Sequence, residues 1–442
     1  MTIQLSDHFT YGRLLRFTLP SIVMMIFTSI YTVVDGIFVS NFVGKTPFAA
    51  LNLIWPVIQL MGAVGFMLGT GGSALVARIL GEGKQEQANR VFSLLVYTAV
   101  VSGTVISFIG VLLLRPIAVA LGAEGEMVGL CVLYGRVLLP FTVLFMLQVL
   151  FQSFLVVAER PKLGLAVTIA AGVANMVLDA LFVAGLRWGL AGAALATGLS
   201  QAVGGAIPLV YFCTGRSGVL RLGRTKFDAA ALGKTCANGA SEMMSNLSMS
   251  LVSILYNFQL LHVAGEDGVA AYGVLMYLNF IFVAVFLGFS VGSAPIVSYH
   301  YGAENHRELR SLFRKSLTVT TACGVVMAVT AWWLAEVLSG IFVGYDPVLM
   351  AMTERGVRIY APSFLLAGLN IFGSAFFTAL NNGAVSAAIS FLRTLLFQVA
   401  AVLVLPLFLG LDGIWLAVIA AEGMALCVTA AFLVKMRTRY HY

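Results

Sequence analysis

The sequence predicts an all-α integral membrane protein with twelve transmembrane helices in two six-helix bundles related by a parallel internal repeat. Three observations lead to this fold class. Of the 442 residues, 60% are hydrophobic and 10% are charged, whereas soluble domains carry about 25% charged residues. Twelve apolar runs are long enough to cross a bilayer, and identities recur at an offset of 221 residues. The bilayer must therefore be the solvent for most of the chain.

Each predicted helix is an apolar run of about 20 residues or more, the length that a membrane span requires. The runs lie near residues 14–40, 48–77, 91–113, 131–157, 163–184, 189–212, 236–262, 269–298, 316–338, 357–379, 384–409 and 412–434. The polar residues 1–16 lead into the first run without a small-residue cleavage site, so we expect no removable signal peptide.

The basic residues predict the orientation of these helices. With the N-terminus inside, 20 of the 26 Lys and Arg residues fall in inside segments, as the positive-inside rule requires. We therefore expect a multi-pass protein of the cell membrane with both termini in the cytoplasm. The net charge of +7 is then explained by the basic residues of the inside segments. We therefore expect no nucleic-acid partner.

The internal repeat divides the chain into two copies. At the offset of 221, Gly44, Gly71 and Gly81 meet Gly265, Gly292 and Gly302, and with one extra residue Arg136 and Pro140 meet Arg358 and Pro362. Six helices per copy insert both copies the same way up, so an axis along the membrane normal should relate them. We expect lobes at residues 1–215 and 236–442, a cytoplasmic linker at 216–235, and a V or inverted V around one central cavity.

The chain lacks the signatures of an ATPase or an enzyme. Two Gly-Lys-Thr triplets, at 44–46 and 233–235, lack the first glycine of a phosphate-binding loop. The five histidines lie at termini or span ends, and the five cysteines are scattered. We therefore expect no catalytic residues, no disulfide framework and no cofactor, and transport would be driven by an ion gradient.

Five ionisable residues fall inside predicted spans, where such residues are costly and point to function. They are Asp35, Asp179, Glu242, Arg393 and Glu422. Four of the five are acidic, which suits protons, metal cations or organic cations and disfavours anions. Arg393 and Glu422 are also expected to form a simple ion pair.

Four polar residues are predicted to meet in the outer half of the first copy. Asp35 and Asp179 each lie about 8 Å below the outer end of their helix, Asn175 about 13 Å and Thr197 about 12 Å. Asn175 and Asp179 share one helix face. Oxygen ligands of this kind bind a hard cation such as Na⁺, and two crowded carboxylates also allow H⁺ to replace it. The alternative is that each carboxylate pairs with unrelated backbone groups.

Two further residues have both a functional and a structural interpretation. Pro20 removes a helical hydrogen bond in the first span, which predicts either a gating hinge or a static packing kink. Glu242 lies early in helix 7 of the second copy. It either faces the central cavity or is a structural acid with satisfied hydrogen bonds.

These residues resemble the multidrug and toxic compound extrusion (MATE) family, in its bacterial type, over essentially the whole chain. The phrase Tyr31-Thr-Val-Val-Asp35-Gly-Ile-Phe is similar to the helix 1 signature of that family, and Pro20 falls on its helix 1 proline. Asn175-x-x-x-Asp179 followed by Thr197 matches its cation cluster. Other matching stretches are Gly81-Glu-Gly, Tyr301-Gly-Ala-Glu and Gly413-Ile-Trp.

The resemblance implies antiport, in which a cation enters down its gradient while an organic, often cationic, compound is extruded. It places Glu242 on the acid of helix 7, and we take Gln148 and Asn370 as further candidates for the substrate pathway. Some members carry an aspartate on helix 10 where this chain has Asn370. That departure favours coupling through the first lobe.

Two other functions remain open at this point. A flippase for lipid-linked oligosaccharides of the same superfamily would favour basic cavity residues. An intramembrane enzyme would need a metal or nucleophile cluster. The sequence leaves open the substrate, the choice between Na⁺ and H⁺, and the oligomeric state, although twelve helices suffice for a monomer among membrane lipids.

Overall fold

A computed structural model describes residues 3–43, 45–215, 218–344 and 346–442 of the chain. Within these residues eleven helices are long and apolar enough to cross a membrane, and a twelfth span is a pair of helices bent by 46°. The spans of the first copy are α1 Tyr11–Phe42, α2 Lys45–Gly81, α3 Gln85–Ala120, α4 Glu126–Val157, α5 Pro161–Gly185 and α6 Gly189–Cys213. Those of the second copy are α7 Ala229–Gly265, α8 Asp267–Gly302, α9 His306–Trp333, α10 Pro347–Tyr360 with Ser363–Ala379, α11 Gly383–Leu409 and α12 Leu411–Tyr440. The predicted all-α class with two six-helix copies is confirmed.

Side-chain caps define the starts of several spans. The carboxylate of Asp228 accepts a hydrogen bond from the Ala231 N–H at 3.0 Å, and the side chain of Asn305 accepts one from the Glu308 N–H at 3.1 Å. Such caps satisfy N–H groups that a helix leaves free at its start. Because Asp228 caps α7, residues 229–235 of the predicted linker are helical. Gly44 of the repeat and Arg216 of the linker lie outside the described residues.

The prolines that match between the two copies break equivalent spans. Pro140 lies in a 3₁₀ turn, Leu139–Phe141, which interrupts α4. Pro362 lies at the 46° bend between the two segments of α10. Proline cannot donate the helical hydrogen bond at its own position. The repeat therefore extends to the distortions of the helices as well as to their order.

Close backbone contacts join the two copies at one end, where both chain termini lie; we call this end the termini side. Gly71 on α2 packs against the backbone of Thr235 and Gly239 on α7. Gly288 and Gly292 on α8 pack against residues 18–22 of α1. Every glycine contact of this type between the copies, among the described glycines, lies in the half of the spans nearer the termini. This pattern supports the V arrangement, with its closed end at the termini side.

Residues 3–10, which we call the N-terminal strap, cross the termini side. Leu5 and Phe9 are 1% and 0% exposed and pack in a hydrophobic cluster built mainly from the second copy. Glu308 accepts hydrogen bonds from the Phe9 N–H at 2.9 Å and from His8 Nδ1 at 2.6 Å. In the other direction, the Leu5 N–H donates to Glu159 of the first copy at 2.7 Å. The strap therefore connects the two copies.

Candidate cation and substrate sites

The packing of α1 on α5 brings the two acidic residues of the first copy together. Gly172 on α5 leaves no room for a side chain because the rings of Phe27 and Tyr31 lie against it. This close approach places Asp35, one helical turn beyond Tyr31, beside Asp179 at the end of the regular part of α5. The two carboxyl groups interact directly, and Asn175 lies beside Asp35.

The side chain of Asp179 is fully enclosed by protein. Asn175 and Asp179 are 2% and 0% exposed and lie on one face of α5. The helix widens into a π-helical segment, Ala180–Gly185, directly after Asp179. π-helical turns occur frequently at functional sites because they redirect neighbouring side chains. A carboxylate buried in this way needs a proton, a cation or a hydrogen-bond donor.

Tyr134 completes this group and is a residue that the sequence reasoning missed. Its side chain is 0% exposed, and it lies next to Thr197 and within electrostatic range of Asp35 and Asp179. Tyrosine carries no charge at neutral pH, so a search for ionisable residues in spans does not find it. Its depth could have identified it. Tyr134 lies eight residues after the start of α4, which corresponds to about 12 Å below the outer end of the helix, the level predicted for Thr197.

Six buried side-chain oxygen atoms of this group lack hydrogen-bond partners among the described residues. Within the described part of the chain, no donor reaches Asp35 Oδ1, either carboxylate oxygen of Asp179, Asn175 Oδ1, Thr197 Oγ1 or the Tyr134 hydroxyl. Buried polar atoms are almost always paired, so a cluster of unpaired oxygens requires an explanation. A bound cation or a proton would satisfy them. The donor set of carboxylate, amide and hydroxyl oxygens fits a hard monovalent cation.

Gln148 lies beside the same group, close to Tyr31. It is 7% exposed, packs over Gly204 of α6, and its Oε1 has no partner among the described residues. At the offset of 222 that aligns α4 with α10, Gln148 corresponds to Asn370. The structure therefore places these two candidate pathway residues at equivalent positions inside the two copies.

Pro20 lies where α1 passes from one copy to the other. Thr18 and Ser21 contact Gly292 and Gly288 of α8, in the second copy. Beyond Pro20, the helix contacts α5 of the first copy through Phe27. A proline-weakened turn thus joins the part of α1 that is packed on the second copy to the part that carries Asp35.

The equivalent region of the second copy holds a closed network. Arg393 Nε donates to both carboxylate oxygens of Glu422 at 2.9 Å, which confirms the predicted ion pair. Asn370 Nδ2 donates to the Glu422 carboxylate at 2.8 Å, and Asn370 Oδ1 accepts a hydrogen bond from the Thr429 hydroxyl at 2.9 Å. Asp35 has Tyr256 at its equivalent position, 221 residues on, and that hydroxyl donates to Gln398 at 2.8 Å. The two copies have diverged: the acid of the second is paired with an arginine, whereas the oxygens named above in the first lack partners among the described residues.

Glu242 and Asn370 differ in exposure. Asn370 is 0% exposed and is held by the network around Glu422. Glu242 is half-buried on α7, within electrostatic range of Arg393. In this conformation Glu242 is therefore the more accessible of the two side chains.

The MatE family model matches this chain twice, over residues 20–181 and again over residues 243–403. One match falls in each six-helix copy. The two matches therefore follow the same division of the chain as the internal repeat.

The chain is similar over nearly its whole length to named export proteins and to solved transporter structures. It is 21% identical to the multidrug export protein MepA of Staphylococcus aureus strain MRSA252 over 428 residues, 96% of this chain and 93% of that protein. It superimposes on a crystal structure of MATE in the straight conformation with a TM-score of 0.91, at 22% identity, covering 98% of this chain and 97% of that one. It also superimposes on the outward-facing conformation of a multidrug resistance MATE family transporter of the MOP superfamily with a TM-score of 0.90, at 23% identity, covering 97% and 95%.

Proposed function

The chain belongs to the MATE family of transporters, and we propose that it is a secondary active multidrug efflux antiporter. It would export organic, often cationic, compounds in exchange for Na⁺ or H⁺ by alternating access. The observation that carries this proposal is the cluster of buried, unpartnered oxygens around Asp35 and Asp179. The relatives named as multidrug export proteins supply the expected class of substrate.

Cation coupling would act through the charge of the first-copy group. With no cation bound, Asp35 and Asp179 repel each other in a site that excludes water. Na⁺ held by Asp35, Asn175, Asp179 and Thr197, or a proton on one carboxylate, would remove that repulsion. The group is then most compact when the cation is bound and expands when it leaves.

α1 would transmit this change to the contact between the copies. Its first turns are packed on α8 and its last part carries Asp35, with Pro20 between them. A shift of the Asp35 end would bend the helix at the position where proline removes a hydrogen bond. Cation and substrate would then favour different states of the same transporter, which is the thermodynamic requirement for exchange.

The orientation of the protein in the membrane determines the side to which this conformation opens. We propose that the termini side faces the cytoplasm of a bacterial cell, as the distribution of basic residues indicates. The copies are joined at that end, so this conformation would open to the outside. Export would then require the glycine contacts and the strap at the termini side to open, and a single chain would suffice.

The test is dye efflux from vesicles that contain the purified protein, with Na⁺ and H⁺ gradients imposed separately. We expect efflux of an organic cation to be driven by at least one of the two gradients and to stop when that gradient is dissipated. Efflux that needs neither gradient would exclude antiport. Movement of a lipid-linked oligosaccharide across the same vesicles, without dye efflux, would instead establish the flippase function.

A further inference from the structure

Three ionisable side chains of the second copy lie together near the middle of its spans. Arg393 lies in a π-helical segment of α11, Leu392–Leu396, which contacts the stretch Ala229–Gly302 that comprises α7 and α8. Its Nε donates to both oxygens of Glu422. Glu242 on α7 is within electrostatic range of the same guanidinium group. One arginine therefore lies near two carboxylates and is hydrogen-bonded to one of them.

Glu422 is the carboxylate that the arginine neutralises. It is 4% exposed and accepts hydrogen bonds from Arg393 Nε and from the side chain of Asn370. Among the described residues, no donor reaches the carboxylate of Glu242, which is half-buried. The formal charges of Glu242, Arg393 and Glu422 add up to −1, and this charge is located at Glu242.

We propose that Arg393 sets the charge of the compounds that this transporter accepts. As a fixed internal cation bound to Glu422, it leaves one carboxylate for the substrate, so the second copy selects organic compounds with a single positive charge. This inference rests on the proposed efflux function and assigns a specificity-determining role to Arg393, which contacts Glu422.

The ion pair also prevents the arginine from competing with the substrate. A guanidinium group within range of Glu242 would bind that carboxylate if it were released from Glu422. Three hydrogen bonds to the carboxylate of Glu422, two from Arg393 and one from Asn370, hold this side chain beside the arginine. Glu422 therefore acts as a positioning residue for Arg393.

The proposal predicts opposite effects for removing one or both members of the pair. In Glu422→Gln, Arg393 is left with Glu242 alone and the formal charge becomes zero. Binding of tetraphenylphosphonium, a permanent monovalent cation, should weaken at least tenfold, as in Glu242→Gln. In Arg393→Gln/Glu422→Gln, Glu242 is free again and the charge returns to −1. That double variant should recover binding to within about threefold of the wild type.

Arg393→Gln alone lowers the formal charge from −1 to −2. It should shift the ratio of affinities at least tenfold towards dequalinium, a divalent cation, and away from tetraphenylphosphonium. Because this variant leaves Glu422 without its partner and risks misfolding, the double variant remains the decisive measurement.

Equilibrium binding of tetraphenylphosphonium and dequalinium to the purified protein in detergent is measured first. Efflux of the same two cations from vesicles is measured second. The matched control is Asp412→Asn on the same helix, which removes the acid from an exposed pair with Arg355. We expect it to leave both affinities unchanged. Wild-type affinity in Glu422→Gln, or a folded double variant that binds as weakly as Glu242→Gln, would overturn the proposal. Absence of gradient-driven efflux by the wild-type protein, with these binding differences intact, would instead count against antiport.

Discussion

Gly81 on α2 and Gly302 on α8 make the same contact in opposite directions. Gly81 packs directly on the carbonyl oxygen of Tyr299, and Gly302 packs directly on the carbonyl oxygen of Arg78. Both the two glycines and the two carbonyl residues are 221 positions apart. The two contacts are therefore images of each other about the axis that relates the copies, and they lie at the termini side where the copies meet.

Alanine at Gly81 or Gly302 should weaken the closed termini side. In either position a Cβ would overlap a backbone carbonyl, which cannot rotate away. Overpacking of this kind costs about 1–3 kcal/mol, and that energy would shift the equilibrium between states about 5- to 150-fold. We expect both variants to populate a state with the termini side open, seen as longer distances between spin labels on the two copies.

The control for these variants is Gly233→Ala, near the same end, where a Cβ meets nothing within 4 Å. It should give the distance distribution of the wild-type protein. A clear effect of Gly81→Ala with none of Gly302→Ala would contradict the symmetry of the contact.

Asp35→Asn and Asp179→Asn should each abolish coupled efflux while the protein still folds. Each amide keeps the shape of the side chain but removes the charge that responds to the cation. The double variant should be no worse than either single variant because the two carboxylates act as one site. Drug resistance in cells and Na⁺ or proton release in vesicles are the measurements.

Glu126→Gln, which neutralises an exposed acid at the start of α4, is the matched control and should transport normally. Wild-type coupled efflux from either aspartate variant would refute the mechanism. Partial losses that add in the double variant would show two independent sites.

Asn370→Asp should create a cation-dependent site in the second copy. The new carboxylate cannot donate to Glu422 as the Asn370 amide does at 2.8 Å. It would place a second negative charge beside a buried acid, at a cost of about 1–3 kcal/mol or more. We expect a lower thermal unfolding temperature in Na⁺-free alkaline buffer, with recovery on adding Na⁺ or lowering the pH.

Asn370→Leu separates the effect of charge from the loss of the hydrogen bond. It should also unfold at a lower temperature, but without dependence on Na⁺ or pH. An unfolding temperature of Asn370→Asp that does not respond to either would exclude cation binding at this position.

Glu308→Ala should release the N-terminal strap. It removes the acceptor of the buried Phe9 N–H, and leaving such a donor unpaired costs about 1–3 kcal/mol. Hydrogen–deuterium exchange of residues 5–10 should become faster. Glu308→Gln retains a carbonyl acceptor and should have a smaller effect, and Glu86→Ala, an exposed acid elsewhere on the protein, should have none. Unchanged exchange in Glu308→Ala would show that apolar packing alone holds the strap.

The sequence predicted that four polar residues of the first copy would come together, and cation binding by them stays a prediction. Asp35, Asn175, Asp179 and Thr197 were found because intramembrane polar residues are rare and because helical rise converts position into depth. Tyr134 was missed because an uncharged side chain carries no such signal. The assignment of Glu422 as the partner of Arg393 was correct, but the position of Glu242 beside that pair depends on how α7 packs against α11.

The sequence by itself determined the twelve spans and the parallel repeat. Span length and apolar composition are local properties that the bilayer enforces, and duplicated residues keep their spacing along the chain. Only the tertiary structure decided that the two copies meet at the termini side, that the strap connects them, and that an arginine closes the second polar group while the first keeps unpartnered oxygens. Each of these depends on contacts between residues far apart in the chain, which the packing of helices creates and no local pattern encodes.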